Sequence, residues 1–429
     1  MPPRLFSHFA GFIGLLCLAS ASPLLRPLAG GPGPATGEPS LARRADGTAY
    51  LTWSGPGRAD GERALWLATL APGADTWSPP RPVISTPLLM ENWADFATLA
   101  IGSDGQLWAQ WFQRPPGEDA HGYAGWMARS PDGGATWSPP VRLGHEFVSL
   151  CPLSEGKMLA VWLESTGRSH AGHNHTAPAP TAEPTMRLKA RLLAADGSTR
   201  QDWIVDPDVC TCCQTTLARL GGDRAIVAYR GHTPAEIRDN RFALFNQTMW
   251  SRPRELHPDG WKIPACPVNG PAADTLGEAV AIAWFTAPDG VARIQAKQSR
   301  DGGLTFGPAH AIDLGRPLGR LDLVTLGDGS SVISWLEAKT EQNAAGLYVR
   351  RLFPDGRLSA PHLLITLSAV RASGFPRMTP RNGADLPVLI SWTDAVPTDP
   401  ANPKSTATTC VRTAEFSAAA LLPVQGDAR

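Results

Sequence analysis

Three cysteines fall within four positions of one segment, "VCTCC", as Cys210, Cys212 and Cys213. The chain otherwise uses cysteine sparingly, with seven in 429 residues. Thiolates so close together could bind a soft metal, with copper or zinc as the candidate cofactor, or they could form disulfides or a redox relay. In an extended segment Cys210 and Cys212 point to one side and Cys213 to the other, so a shared metal ion requires the loop to turn.

Other cysteines and several histidines offer the same chemistry. Without Cys17, which lies in the apolar amino-terminal segment, six cysteines remain, and this even number permits up to three disulfides. The spacing of "HAGHNH" suits a metal, although its Ala, Pro and Thr surroundings are typical of a flexible loop. The candidate metal or disulfide residues are Cys151, Cys210, Cys212, Cys213, Cys266, His170, His173, His175 and His232.

The elements that must position these residues recur along the chain, each as a turn followed by an alternating strand that ends in an aromatic residue. These segments span residues 46–53, 104–111, 155–162, 222–229, 277–284, 328–335 and 385–392. Proline-containing strands such as "TWSPPRPV" fit the outer edge of a sheet, because proline cannot donate to a β-ladder. Repeats of roughly 50 to 65 residues built from strands indicate a β-propeller. We therefore predict an all-β propeller of four-stranded blades, seven in number, with six as the alternative.

Two turns of these repeats, "SPDGGATW" and "SRDGGLTF", share the pattern S-x-D-x-G-x-T followed by an aromatic residue. In such a turn Asp accepts hydrogen bonds from turn amides, Gly takes a positive φ and the aromatic ring packs between sheets. With these turns the chain resembles the sialidase (neuraminidase) superfamily of Asp-box, or BNR-repeat, β-propellers. The predicted structural Asp-box residues are Ser130, Asp132, Gly134, Thr136, Trp137, Ser299, Asp301, Gly303, Thr305 and Phe306.

The resemblance implies a propeller over nearly the whole mature chain, with sialoside hydrolysis as a candidate activity. Sialidases of this type have six blades. They use three arginines, a tyrosine nucleophile assisted by a glutamate, and an aspartate acid/base. Glu38 stands where the first arginine is expected, and a carboxylate there would repel the carboxylate of the substrate. We therefore carry over no catalytic residue from the family.

The order of strands in a propeller blade decides which loops meet. The loop entering the innermost strand and the loop joining the second and third strands share one face, whereas the Asp-box hairpins lie on the other. Residues 208–213 and 263–272 are predicted to enter adjacent blades, and the long connections 165–187 and 230–241 reach the same face. We therefore expect the candidate cysteines and histidines to meet at one channel mouth.

Charged and polar residues are predicted on the same face. Glu236, Arg238 and Asp239 in "AEIRDNR" are the candidate catalytic residues, because carboxylates and a guanidinium can bind a carboxylate or polarise a leaving group. A surface ion-pair network is the alternative interpretation. The candidate ligand-binding residues are Asn92, Trp93, Asp95, Arg230, Asn269, Arg320, Asp322 and Arg377.

Composition and the amino-terminal residues limit which compartment and which partners we predict. Lys and Arg number 39, as do Asp and Glu, so no net field recruits nucleic acid or an anionic membrane surface. The start of the chain resembles a secretory signal and no later segment predicts a membrane span, so we expect an exported, periplasmic or secreted monomer of bacterial origin. The predicted divisions are a signal peptide (1–21), a linker or closing strand (22–37), a single propeller domain (38–420) and a C-terminal tail (421–429).

Three functions from different classes remain open at this stage. We favour an exported propeller whose Cys- and His-bearing face binds a ligand, such as copper, a small molecule or glycan, or a partner protein. The second is a divergent exo-sialidase or other glycoside hydrolase that uses carboxylates such as Glu236, Asp239 and Asp95. The third is a non-catalytic scaffold in which disulfides pin the loops.

Overall fold

The computed structural model describes residues 22–114, 123–166, 186–341, 343–399 and 406–424. Within these ranges 28 strands form seven antiparallel sheets of four strands each. The prediction of an all-β propeller with seven blades is therefore confirmed, and the six-blade alternative is wrong. The predicted signal peptide and the candidate ligands His170, His173 and His175 lie outside the described residues.

The first four blades follow one another along the chain from β2 to β17, after a short strand β1 (Arg26–Pro27). Blade 1 contains β2 (Gly37–Arg43), β3 (Ala49–Pro56), β4 (Arg63–Leu70) and β5 (Arg81–Thr86). Blade 2 contains β6 (Thr98–Ile101), β7 (Leu107–Gln113), β8 (Ala124–Ser130) and β9 (Val141–Gly144). Blade 3 contains β10 (Glu146–Pro152), β11 (Met158–Ser165), β12 (Met186–Leu193) and β13 (Thr199–Val209). Blade 4 contains β14 (Thr216–Leu220), β15 (Arg224–Arg230), β16 (Asn240–Phe245) and β17 (Arg254–Glu255).

The remaining three blades use β18 to β28 and return to β1. Blade 5 contains β18 (Ala272–Leu276), β19 (Ala279–Thr286), β20 (Arg293–Ser299) and β21 (His310–Ala311). Blade 6 contains β22 (Pro317–Thr325), β23 (Ser331–Ala338), β24 (Ala344–Leu352) and β25 (His362–Ser368). Blade 7 contains β26 (Arg377–Pro380), β27 (Pro387–Pro397) and β28 (Ala407–Ser417), with β1 as its outer strand.

The first strand of every blade lines the centre of the ring. These strands contact one another in the cyclic order β2, β6, β10, β14, β18, β22, β26 and back to β2. Each connection that enters a first strand therefore reaches the mouth of one central channel. This arrangement allows residues from distant blades to share a site.

The second strand of a blade is buried on both faces, because each sheet packs between two neighbouring sheets. All seven residues of β7 are buried, for example. The aromatic residues that end the sequence repeats fill the space between blades, and they bury large apolar areas there. Fully buried examples are Trp111, Trp162, Trp284 and Trp335.

The two Asp-box turns join third and fourth strands, on the face opposite the loops that enter the first strands. The carboxylate of Asp132 accepts hydrogen bonds from the amides of Ala135 and Thr136, at 3.0 and 2.9 Å. The hydroxyl of Ser130 donates to the same carboxylate at 2.8 Å. Gly134 has a φ of 89°, which a residue with a side chain rarely adopts. In this structure these residues hold a turn together.

Helical structure is minor in the part of the chain that the structure describes. Its five helices are 3₁₀ helices of three residues each. None of the described helices is long and apolar enough to cross a membrane.

Candidate metal centre

The cysteine-rich loop 210–215 enters the first strand of blade 4 and is held at the channel mouth by its neighbours. The side-chain amide of Gln214 donates to the carbonyl of Ala94 at 2.5 Å and accepts from the amide of Gly270 at 2.9 Å. The hydroxyl of Thr215 donates to the carbonyl of Phe147 at 2.9 Å. Gly270 is required at this contact, because an added Cβ would lie 2.1 Å from the carbonyl oxygen of Gln214. Blades 2, 3 and 5 thus fix the path of the loop.

The loop turns so that its three thiols face one another. The Sγ atom of Cys210 lies 3.8 Å from Sγ of Cys212 and 3.9 Å from Sγ of Cys213. All three sulfurs lie within 4.8 Å of one another. The extended-chain geometry, which would separate Cys213 from the other two, is avoided. We call Cys210, Cys212 and Cys213 the thiol cluster.

Accessibility increases outward from the thiol cluster to Cys266. Cys210 and Cys213 are 1% and 2% exposed, and Cys212 is partly exposed. Cys266, on the loop that enters blade 5, is exposed, and its Sγ lies 3.8 Å from the hydroxyl of Thr211. The thiols of Cys266 and Cys212 interact, and this contact lowers the pKa of Cys266 to about 7. The predicted convergence of the loops that enter blades 4 and 5 is therefore present.

Two buried guanidinium groups make the environment of the thiol cluster cationic. Arg238 is 2% exposed, and its Nη1 atom donates to Sγ of Cys210 at 3.4 Å. The carbonyl of the other buried arginine, Arg230, accepts the Cys210 amide at 3.0 Å. The hydrogen bonds between Cys210 and the thiols of Cys212 and Cys213, together with these arginines, hold the pKa of Cys210 well below its usual range. Burial raises the pKa of Cys213 to about 12.

The separations of the Cys210 sulfur from those of Cys212 and Cys213, 3.8 and 3.9 Å, match those of thiolates that share one metal ion. Three sulfurs bound at about 2.3 Å, in a trigonal or tetrahedral arrangement, lie about 3.8 to 4.0 Å apart. A disulfide instead needs a sulfur separation of about 2.05 Å. All six described cysteines are free thiols in this structure. The arrangement can therefore bind a soft ion with release of the thiol protons.

The candidate catalytic residues lie next to the thiol cluster, but their polar atoms are engaged by protein groups. The carboxylate of Asp239 accepts the amides of Gly260 and Trp261 at 2.7 and 2.9 Å. Glu236 pairs with Arg238 at 2.8 Å, and this pairing lowers the pKa of Glu236. His232 pairs with Asp208 at 2.7 Å through Nδ1. In this structure Asp239 orders the loop 230–241, and Glu236 balances the charge of Arg238.

Arg230 ties two loops and strand β19 together through its guanidinium. Its guanidinium donates to the carbonyls of Arg238, Asn269 and Phe285 at 2.7 to 2.8 Å. It also stacks on Trp261, with 4.8 Å between Cζ and the ring centroid. This predicted ligand-binding residue is therefore a buried link between blades 4 and 5.

Several other predicted ligand-binding residues link neighbouring blades in the same way. The side-chain oxygen of Asn269 accepts the amide of Arg320 at 2.8 Å. The Arg320 guanidinium donates to the carbonyl of Val370 at 2.8 Å, and burial lowers its pKa to about 10. Asp322 accepts the amide of Met378 at 2.7 Å, and burial raises its pKa.

The rest of the predicted set lies at the entries to blades 2 and 7. Trp93 stacks between Arg320 and Phe375, at 5.1 and 6.0 Å. Asp95 is buried and accepts the amide of Phe147 at 3.0 Å. Burial raises the pKa of Asp95 well above its usual range. The partly exposed members of the predicted set are Asn92, Trp93 and Arg377.

A cavity of about 190 Å³ lies below the mouth, in the central channel. It is lined mainly by residues of the first strands, together with Asp95 and Gln214. Gln214, which directly follows Cys213, therefore separates the thiol cluster from the channel. No sequence motif identified Gln214 or Gly270 as residues of the site. Their position between the cysteines and an inner strand nevertheless lets them shape the cysteine-rich loop.

One predicted member of the cysteine group does not reach the thiol cluster. Cys151 is the sixth residue of β10 and pairs with Leu159, whereas the mouth is at the Glu146 end of this strand. Its thiol is buried at the level of Arg219 and Asp223, and burial raises its pKa to about 12. The expectation that Cys151 lies beside the other cysteines is therefore corrected. Cys410, in β28 of blade 7, lies near the carbonyl of Gly33 instead.

Comparison with known proteins gives the fold without a family. No family model matches the chain, and no curated protein matches it. The fold is similar to that of the BP39L lectin from Burkholderia pseudomallei, with a TM-score of 0.52 and 9% identity over 87% of this chain and 100% of that one. At this identity the likeness shows the fold alone.

Two further solved structures resemble the chain less closely in their TM-scores. A protein of unknown function from Dyadobacter fermentans has a TM-score of 0.48 and 15% identity, over 92% of this chain and 100% of that one. The NanB sialidase of Streptococcus pneumoniae has a TM-score of 0.48 and 9% identity, over 94% of this chain and 71% of that one.

Proposed function

We propose that the protein binds one copper(I) ion through the thiolates of Cys210, Cys212 and Cys213, at the mouth of the propeller channel. The observation that carries this proposal is the mutual distance of the three sulfurs, which are within 4.8 Å of one another. Copper(I) prefers soft thiolate ligands. The blades fix the loop in this shape, so little conformational entropy is lost when the ion binds.

Charge and ligand number favour copper(I) over zinc at the thiol cluster. A structural zinc site takes four protein ligands, whereas three sulfurs are grouped here among the described residues. The guanidinium of Arg238 touches Cys210, and it repels a divalent ion twice as strongly as a monovalent ion at the same distance. Three thiolates around copper(I) carry a charge of about −2, which Arg230 and Arg238 can balance.

The proposal includes export, which the sequence predicts. In an oxidising compartment a disulfide within the thiol cluster would compete with the metal. Loop-pinning disulfides are not needed to hold the loop, because Gln214 and Thr215 already tie it to blades 2, 3 and 5. The hydrolase alternative is less favoured, because its two candidate carboxylates already have protein partners. Asp239 accepts two backbone amides, and Glu236 is paired with Arg238.

The test is a titration of the reduced protein with copper(I) under oxygen-free conditions, in competition with a chromophoric chelator. We expect one ion per chain and a rise in the melting temperature on loading. Cys213→Ser should weaken binding about tenfold or more, because a buried ligand is lost. Cys410→Ser, a thiol outside the cluster, should bind like the wild type. No uptake, equal binding by both variants, or tighter binding of zinc than of copper(I) would overturn the proposal.

A further inference from the structure

The four thiols near the channel mouth form a path from solvent to the protein interior. Cys266 is exposed, Cys212 is partly exposed, and Cys210 and Cys213 are buried. Sγ of Cys266 lies 3.8 Å from the hydroxyl of Thr211, the residue between Cys210 and Cys212, and Cys212 and Cys213 are both grouped with Cys210. Cys266 itself is not within the group of sulfurs that lie within 4.8 Å of one another. Its position is therefore that of a thiol that reaches one member of the thiol cluster from outside.

The loop that carries Cys266 is exposed yet anchored. Its exposed residues are Lys262, Pro264, Ala265 and Cys266. The amide of Ile263 donates to the carbonyl of Glu236 at 2.9 Å, and Lys262 forms a β-bridge with Ile237. Farther along, the buried side chain of Asn269 holds the loop against blade 6. An anchored loop presents its thiol in a defined position, which lowers the entropic cost of meeting a partner group.

We infer that Cys266 is the entry ligand of the site: it accepts copper(I) from a donor that carries the ion on sulfur, and passes it through Cys212 to Cys210 and Cys213. This inference rests on the proposed function. The outward-facing thiol allows a new copper–sulfur bond to form before a bond to the donor breaks. A buried cluster without an exposed thiol would require the ion to dissociate first.

The transfer is a ligand exchange without electron transfer. A copper–sulfur bond to Cys266 forms as one bond to the donor breaks, and the Cys266 thiol proton passes to solvent. Bonds to Cys212, and then to Cys210 and Cys213, replace the remaining donor bond and the bond to Cys266, and the protons of the cluster thiols pass to solvent as these bonds form. The copper stays in the +1 state throughout, and Cys266 recovers a proton when the ion moves inward.

Rate and equilibrium can be measured in one experiment, with a copper(I)–glutathione complex as the sulfur donor and stopped-flow absorbance as the readout. We expect Cys266→Ser to slow copper transfer by about tenfold or more while the equilibrium affinity stays within about threefold of the wild type. Cys266→Met, which keeps a soft sulfur in place, should restore much of the rate. Cys410→Ser should transfer copper at the wild-type rate.

The outcomes separate this inference from the proposed function. If the wild type takes up no copper(I), the proposed function fails. If the wild type binds copper and Cys266→Ser transfers it equally fast, Cys266 has no part in entry. If Cys266→Ser loses affinity as severely as Cys213→Ser, Cys266 is a resident ligand and the inference is wrong. A Cys266→Met rate no better than that of Cys266→Ser would contradict it as well.

Discussion

The guanidinium of Arg238 gives the thiol cluster its charge balance. It contacts Sγ of Cys210 on one side and the carboxylate of Glu236 on the other. A buried charge without a partner is costly, so the thiolate and the carboxylate stabilise Arg238 as much as it stabilises them. The guanidinium of Arg238 acts on the proposed metal ion through Cys210, so Arg238 is a positioning residue.

Arg238→Gln should lower copper(I) affinity about 10- to 100-fold, because groups that support a metal ligand contribute on this scale. Arg238→Lys keeps the positive charge but loses the planar fork, so we expect an intermediate affinity. Chelator competition measures both, and circular dichroism checks that the variants are folded. A folded Arg238→Gln variant with wild-type affinity would show that the guanidinium does not support the site.

At the scale of elements, the loop that enters blade 4 is shaped by the loop that enters blade 5. Gly270 packs so closely on Gln214 that a Cβ atom would lie 2.1 Å from the Gln214 carbonyl oxygen. This contact lies one residue from Cys213. Packing between loops therefore decides whether the three sulfurs can face one another.

Gly270→Ala should push the cysteine-rich loop away from its position. We expect a loss of about 1 to 3 kcal/mol in the free energy of unfolding, which is typical of overpacking, and weaker copper(I) binding. Gly327→Ala is the matched control, because no atom lies within 4 Å of the added Cβ and its φ is not positive. Chemical denaturation and chelator competition provide the two readouts. Unchanged stability and affinity in Gly270→Ala would show that the loop contact does not shape the site.

The sequence predicts the blades better than it predicts positions along a blade. Repeats that end in an aromatic residue indicated seven blades, and loop order brought Cys210 and Cys266 to one mouth. Cys151 was misplaced because blade 2 ends at Gly144 and blade 3 begins at Glu146, so no loop marks which end of β10 faces the mouth. The contact of Arg238 with Cys210 depends on a turn of the backbone and a side-chain rotamer, which a linear pattern does not encode.

At the scale of the whole molecule, the ring is closed by β1 and β28 of blade 7. Glu415 in β28 pairs with Arg26 of β1 at 2.7 Å and with the buried Arg381 at 2.6 Å. Arg381 also donates to the carbonyls of Ala71 and Ala74 in blade 1. These ion pairs and hydrogen bonds connect the first and last blades, and an open ring would separate the loops that meet at the mouth.

Glu415→Gln should therefore destabilise the fold, because Arg381 would remain buried with an uncompensated charge. We expect the free energy of unfolding to fall by about 2 to 4 kcal/mol. The matched control is Asp355→Asn, which removes an ion pair with Arg357 whose side chains are 52% and 61% exposed. That change should stay within about 0.5 kcal/mol of the wild type. Equal effects of the two substitutions in chemical denaturation would contradict a special role for the closing pair.

X-ray absorption at the copper edge of the reduced, copper-loaded protein determines directly whether the thiol cluster binds the ion. Three sulfurs that already face one another predict copper in the +1 state, with three sulfur neighbours and no nitrogen or oxygen ligand. In Cys213→Ser the sulfur count should fall. A wild-type spectrum dominated by nitrogen or oxygen neighbours, or one that Cys213→Ser leaves unchanged, would contradict copper(I) binding by the thiol cluster.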